Sequence, residues 1–134
     1  MFADPLSRSQ RFSLGALRIV AGFLWMPHGA QKLFGVLRES GGAAEFLSLA
    51  WFAGVIELFG GLAIVLGFLT RAVAFVAAGE MAAAYFLSHA PRGLWPILNR
   101  GELAALYCFL WLYLVVNGGG AFGLDGLLAR RRKR

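Results

Sequence analysis

Charge is scarce in this chain. Of its 134 residues only 15% are Asp, Glu, Lys or Arg, against about 25% in an ordinary soluble domain, while 59% are hydrophobic and the mean hydropathy is +0.67. Too few polar side chains exist to clothe a water-facing surface, so the composition points to lipid as the solvent. Carboxylates are scarcer than cations, seven against thirteen, which leaves a net charge of +6. A single cysteine, Cys108, excludes an internal disulfide framework and any multi-cysteine metal or iron–sulfur site built by this chain alone; no metal site is expected. The positive charge has a location: Arg130, Arg131, Arg132, Lys133 and Arg134 follow the apolar segments as one run. Such a run suits the anionic headgroups of a cytoplasmic leaflet, and without aromatic or motif support for base recognition it excludes a nucleic-acid partner.

What is abundant is apolar length. Four stretches, at about 12–34, 50–69, 72–90 and 102–117, approach or reach the roughly 17–25 residues that a hydrocarbon layer of about 30 Å demands. Their residues do not alternate as barrel strands do, and lipid offers no partner to an unpaired backbone group, so helices are the workable form. The expectation is an all-α integral membrane four-helix bundle in one transmembrane domain over 1–134. Arg18 interrupts the first stretch and no A-x-A cleavage site follows, so it reads as a retained helix rather than a signal peptide. Eight Lys and Arg fall on the side of the termini and four on the other, which predicts both termini cytoplasmic and Trp51 and Trp95 near the outer headgroups. Beyond Gly118, Gly119 and Gly120, the segment from Phe122 to Leu128 and the basic tail 129–134 read as a short interfacial helix and a topogenic anchor.

Ionisable groups inside such segments are costly and normally face a partner or a cavity. At 1.5 Å per residue, Arg18 lies about 9 Å and Glu80 about 13 Å from the same edge, heights that predict a structural ion pair. In the other half His28 and Lys32, four apart, share a face with Gln31 beside it, and Glu57 descends to the depth of His28. His89, Asn99 and Glu102 fall at the rim of that half. Pro27 removes a helix hydrogen bond beside His28 and predicts a kink. Together these residues predict one outward-facing polar pocket, with His28 and Glu57 as catalytic groups and Gln31, Lys32, His89, Asn99 and Glu102 as ligand-binding ones. His28 and His89 at similar height also leave haem ligation open. The small residues Gly54, Gly60, Gly61 and Gly67, with the alanines of the third stretch, predict close helix packing, and Phe109, Trp111 and Tyr113 read as lipid-facing bulk.

The run Pro27-His28-Gly29-Ala30-Gln31-Lys32-Leu33-Phe34-Gly35, then Glu57-Leu58-Phe59-Gly60-Gly61, then Leu66-Gly67-Phe68-Leu69-Thr70-Arg71 resembles the DoxX family of small membrane proteins. The resemblance extends through Asn99-Arg100-Gly101-Glu102 to Gly123-Leu124-Asp125. It implies a four-helix protein of the bacterial inner membrane, with relatives linked to quinone-dependent sulfur oxidation, thiol stress and larger oxidoreductases. The expectation is therefore a quinone- or quinol-linked membrane subunit in which His28 meets a quinone oxygen and Glu57 orients His28. The alternative is a non-catalytic accessory or assembly subunit packed against other membrane subunits of a larger complex.

Overall fold

The computed structural model describes residues 6–132, all helix, turn or loop, with no strand among them. Lys133 and Arg134 of the basic tail lie outside the described residues. Four long helices coincide with the apolar stretches: α1 (Arg8–Phe34), α2 (Leu49–Leu66), α3 (Thr70–Arg92) and α5 (Glu102–Asn117). A single turn, α4 (Pro96–Asn99), sits in the connection before α5, and α6 (Leu124–Arg131) follows it. A capping box starts α1, with the Ser7 hydroxyl accepting from the Gln10 amide and the Gln10 side chain accepting from the Ser7 amide. The helix runs on through Pro27 to a left-handed Gly35.

Two helices, α2 and α3, are long and apolar enough to cross a membrane by length and composition. Helix α1 has the length without the same apolarity, and α5 is apolar over 16 residues.

The helices pack in two pairs, α1 along α2 and α3 along α5, with the middle of α2 joining the pairs by touching α3. Helix α3 presents Ala74, Ala77, Ala78 and Met81, and α5 answers with Ala104, Tyr107, Trp111 and Leu114. Alanine on one side and ring or branched side chains on the other let the axes approach while filling the gap. Trp25 from α1 completes the centre, 5.1 Å from Trp111, which itself stacks on Tyr107 at 5.2 Å. Trp111 is thus fully buried core rather than lipid-facing bulk, whereas Phe109 and Tyr113 are exposed as expected. The outside is apolar too: Phe23 on α1, Phe59 on α2, Phe75 on α3 and Phe109 on α5 are each at least 59% exposed. A surface of that kind, wider than the scattered patches of a soluble monomer, suits a hydrocarbon environment.

The end of the molecule that carries the start of α1 and helix α6 is tied by side chains that satisfy helix ends. Arg18, fully buried, gives Nε to the Gly119 carbonyl at 2.8 Å, Nη1 to the carbonyls of Ile64 and Val65, and Nη2 to that of Ala121 at 3.1 Å. Two of those carbonyls belong to the last turn of α2, where a cation complements the exposed acceptors' partial charge and the helix dipole. The expected Arg18–Glu80 ion pair is not formed. Equal depth fixes height only; α1 leans on α2, so the guanidinium meets the end of α2 and the loop after α5 instead. Arg71 repeats the device, with Nη1 2.8 Å from the carbonyls of both Val115 and Val116 at the end of α5. The start of α3 is preceded by Leu69, which has no capping group, and the Asp125 carboxylate of α6 replaces it. The amides of Leu69 and Thr70 donate to Oδ1 and Oδ2 at 2.8 and 2.9 Å, and the Asp125 amide donates to Gly67 at 2.9 Å. Helix α6 is therefore docked on the α2–α3 turn, a role beyond the anchor expected of it. Gly67, at φ 65°, is needed there: a Cβ would lie 2.5 Å from Gly123 Cα and 3.0 Å from the Arg18 guanidinium.

Candidate functional site

In the opposite half, α1 and α2 come closest at Gly29, where a Cβ would overlap the backbone nitrogen of Leu58 and sit 2.6 Å from the Gly54 carbonyl. Gly54 in turn lies under Lys32, its own missing Cβ 2.9 Å from the lysine Cβ. With no side chains between the backbones, Glu57 is carried beneath Lys32. The ammonium Nζ donates to both carboxylate oxygens at 2.6 Å, the one ion pair among the described residues. Glu57 is 2% exposed and the Lys32 side chain 33%, so the carboxylate is sealed and its cation opens to the surroundings.

Glu57 stands in a π-helical stretch, Ile56–Gly60, within α2. A π turn carries one residue more than an α turn, is rare, and is found frequently at functional positions. A second π stretch, Tyr85–His89, closes the main part of α3.

His28, half-buried one turn before Lys32, lies within Coulombic reach of Glu57 but makes no hydrogen bond to it. The carboxylate expected to orient His28 is held by Lys32, whose flexible arm covers a distance that the short imidazole does not. Glu80, assigned by depth to Arg18, instead lies within Coulombic reach of Glu57 and Lys32, and its buried Oε2 has no partner among the described residues. Four titratable groups from three helices thus gather here: His28 and Lys32 on α1, Glu57 on α2 and Glu80 on α3.

The remaining rim residues are engaged elsewhere. Gln31 donates to the Leu37 carbonyl at 2.6 Å and holds its own loop. Asn99, fully buried, donates to the Gly93 carbonyl at 2.8 Å and accepts from the Gly101 amide at 2.7 Å. His89 places Nδ1 3.0 Å from the Asn99 carbonyl and stacks on Tyr85. These two build the connection from α3 to α5. Glu102 is exposed on the first turn of α5. The single pocket expected from depth is therefore two clusters and two separate side chains. No group of three or more His, Cys, Asp or Glu among the described residues is arranged to hold a metal. Two grooves of the surface lie at the terminal end and touch none of these residues.

An all-helical chain with an apolar exterior and a charged pair shut between its helices is a membrane-associated protein. The DoxX family profile matches residues 13–90, and the chain belongs to that family. It is 41% identical over 127 residues, spanning 91% of this chain and 95% of the relative, to an uncharacterized protein of Haemophilus influenzae. No solved structure matches it.

Proposed function

We propose that this protein is a multi-pass subunit of a quinone-linked oxidoreductase system in the bacterial inner membrane. Its four long helices cross the bilayer with both termini in the cytoplasm. The observation that carries the reading is the Lys32–Glu57 pair: a sealed carboxylate in a π stretch, with both oxygens on one partly exposed ammonium. Holding such a pair in low dielectric costs several kcal/mol per ion unless geometry and hydrogen bonds offset it, and ionisable residues at membrane depth mark ligand and proton paths.

The residues fit a quinone oxygen. Lys32 can turn one N–H outward to it without leaving Glu57, and Glu57 can take a proton that Lys32 hands inward. Glu80, with an oxygen free of any described partner, extends the path by one carboxyl group, and His28 can relay from the same face as Lys32. Oxidation of a quinol releases two electrons and two protons; these side chains handle the protons, and a redox-active partner subunit takes the electrons. In native membrane vesicles, oxidation of a short-chain quinol by Lys32→Met or Glu57→Gln protein is expected to fall about 100-fold, within the range of positioned acid–base groups. Undiminished turnover at equal protein level refutes the reading.

The second reading, an accessory or assembly subunit, is favoured by a different surface. Gly79 and Ala83, four apart, are exposed on one face of α3, and a Cβ at Gly79 meets nothing within 4 Å. Small residues facing outward permit another membrane helix to approach. On this reading Gly79→Leu abolishes copurification with larger membrane subunits while leaving the isolated chain folded.

A further inference from the structure

The terminal end holds arginines of two kinds. Arg18 and Arg71 are committed to backbone carbonyls. Arg8, Arg11 and Arg130 are not: no carboxylate among the described residues lies within ion-pair distance of them, and all three line one groove. One wall of the groove is the first part of α1, the other is α6, and its floor is the loop 120–123. The Ala121 amide fastens that floor to α1 by donating to the Arg11 carbonyl at 2.8 Å. Arg8 and Arg11, three apart, stand on one face of α1, with the exposed hydroxyl of Ser13 further along. Below the cations the lining turns apolar, with Phe12 edge-on to Phe122 at 5.5 Å and Leu127 opposite. The groove measures about 1560 Å³, beyond the roughly 300–1,000 Å³ of a compact small-molecule pocket. A second groove, bordered by Phe68, Leu124, Leu128 and Arg131, shares Leu127 and Arg130 and continues the apolar surface round α6.

We infer that this groove is a discrete binding site for one anionic phospholipid. Arg8, Arg11 and Arg130 take the phosphate of its headgroup, and the aromatic and leucine surface takes the upper acyl chains. Three cations over an apolar floor are complementary to an amphiphile with a charged head, and guanidinium groups grip phosphate oxygens by paired N–H donors. The site is separate from the diffuse attraction of the tail beyond Arg130. It rests on the helices crossing a bilayer and is independent of the quinone chemistry.

The test uses the full chain in nanodiscs of phosphatidylcholine containing a small fraction of phosphatidylglycerol, transferred to mild detergent for native mass spectrometry. One phosphatidylglycerol is expected to stay on each wild-type chain. Arg8→Gln with Arg11→Gln should weaken its retention about 30-fold, at roughly a factor of five per surface arginine. Arg132→Gln, outside both grooves, should leave it unchanged. Gly126 lines the groove and a Cβ there meets nothing within 4 Å, so Gly126→Phe is expected to displace the lipid while thermal stability is kept. Equal retention of phosphatidylcholine, an equal loss in the Arg132→Gln variant, or displacement by millimolar inorganic phosphate alone overturns the proposal.

Discussion

The two ends of this molecule use their few charges differently. At the terminal end Arg18, Arg71 and Asp125 each bond to main-chain groups at helix ends. At the other end Lys32 and Glu57 bond to each other, side chain to side chain. Main-chain acceptors cannot change protonation, so the first arrangement is fixed once the helices are in place. A lysine–glutamate pair can exchange a proton or release one partner, so the second can respond. The contrast separates what holds the helices from what they can do.

That contrast can be broken by substitution. The largest effect is expected from Arg18→Leu, which takes the side-chain donor from the carbonyls of Val65, Gly119 and Ala121 at once. The loss is about 3–5 kcal/mol, the scale for removing one side of a buried charged contact, read as a fall in resistance to denaturant in detergent micelles. Gly29→Ala comes next, at about 1–3 kcal/mol from overpacking. It should pry α1 from α2 and part Lys32 from Glu57 as it lowers stability, whereas Arg18→Leu should cost stability and leave that pair in place. Lys32→Met should cost a similar or smaller amount, about 1–2 kcal/mol once the exposure of the lysine is allowed for. Adding Glu57→Leu should restore much of it, because the pair as a whole contributes little net stability; a double mutant as weak as the sum of the singles would contradict this. The smallest effect belongs to Asp125→Ala, about 0.5–2 kcal/mol for a lost helix cap. Hydrogen exchange should quicken at the amides of Leu69 and Thr70 and remain slow around Trp111.

Much of the architecture is readable from the chain because lipid makes hydrophobicity a linear signal. The four apolar stretches are helical, and the all-helical class follows from their length and the absence of alternation. The pairing of charges is less readable. Depth along a helix gives a height, and height alone pairs Arg18 with Glu80 and His28 with Glu57. Which residue faces which depends on azimuth, and azimuth depends on which helices touch. Here α1 packs on α2, so Arg18 finds the end of α2 and Lys32 finds Glu57. The i, i+4 spacing of His28 and Lys32 puts both on one face of α1, and reach decides which of them meets Glu57: a four-carbon arm bridges what an imidazole does not. The docking of α6 left a fainter signal. The turn before α3 offers amides without a local capping group, and Asp125 is the acid available just past the Gly118–Gly120 run.

The π stretch at Ile56–Gly60 has a consequence beyond its own neighbourhood. An α-helix rotates by about 100° per residue, so the extra residue housed there sets the angular phase of everything downstream in α2. Ile64 and Val65 present their carbonyls to Arg18 only in that phase. A one-residue deletion that regularised the stretch would swing the lower half of the helix away from the arginine while leaving its composition almost untouched. The two ends are geared together through a single surplus amino acid.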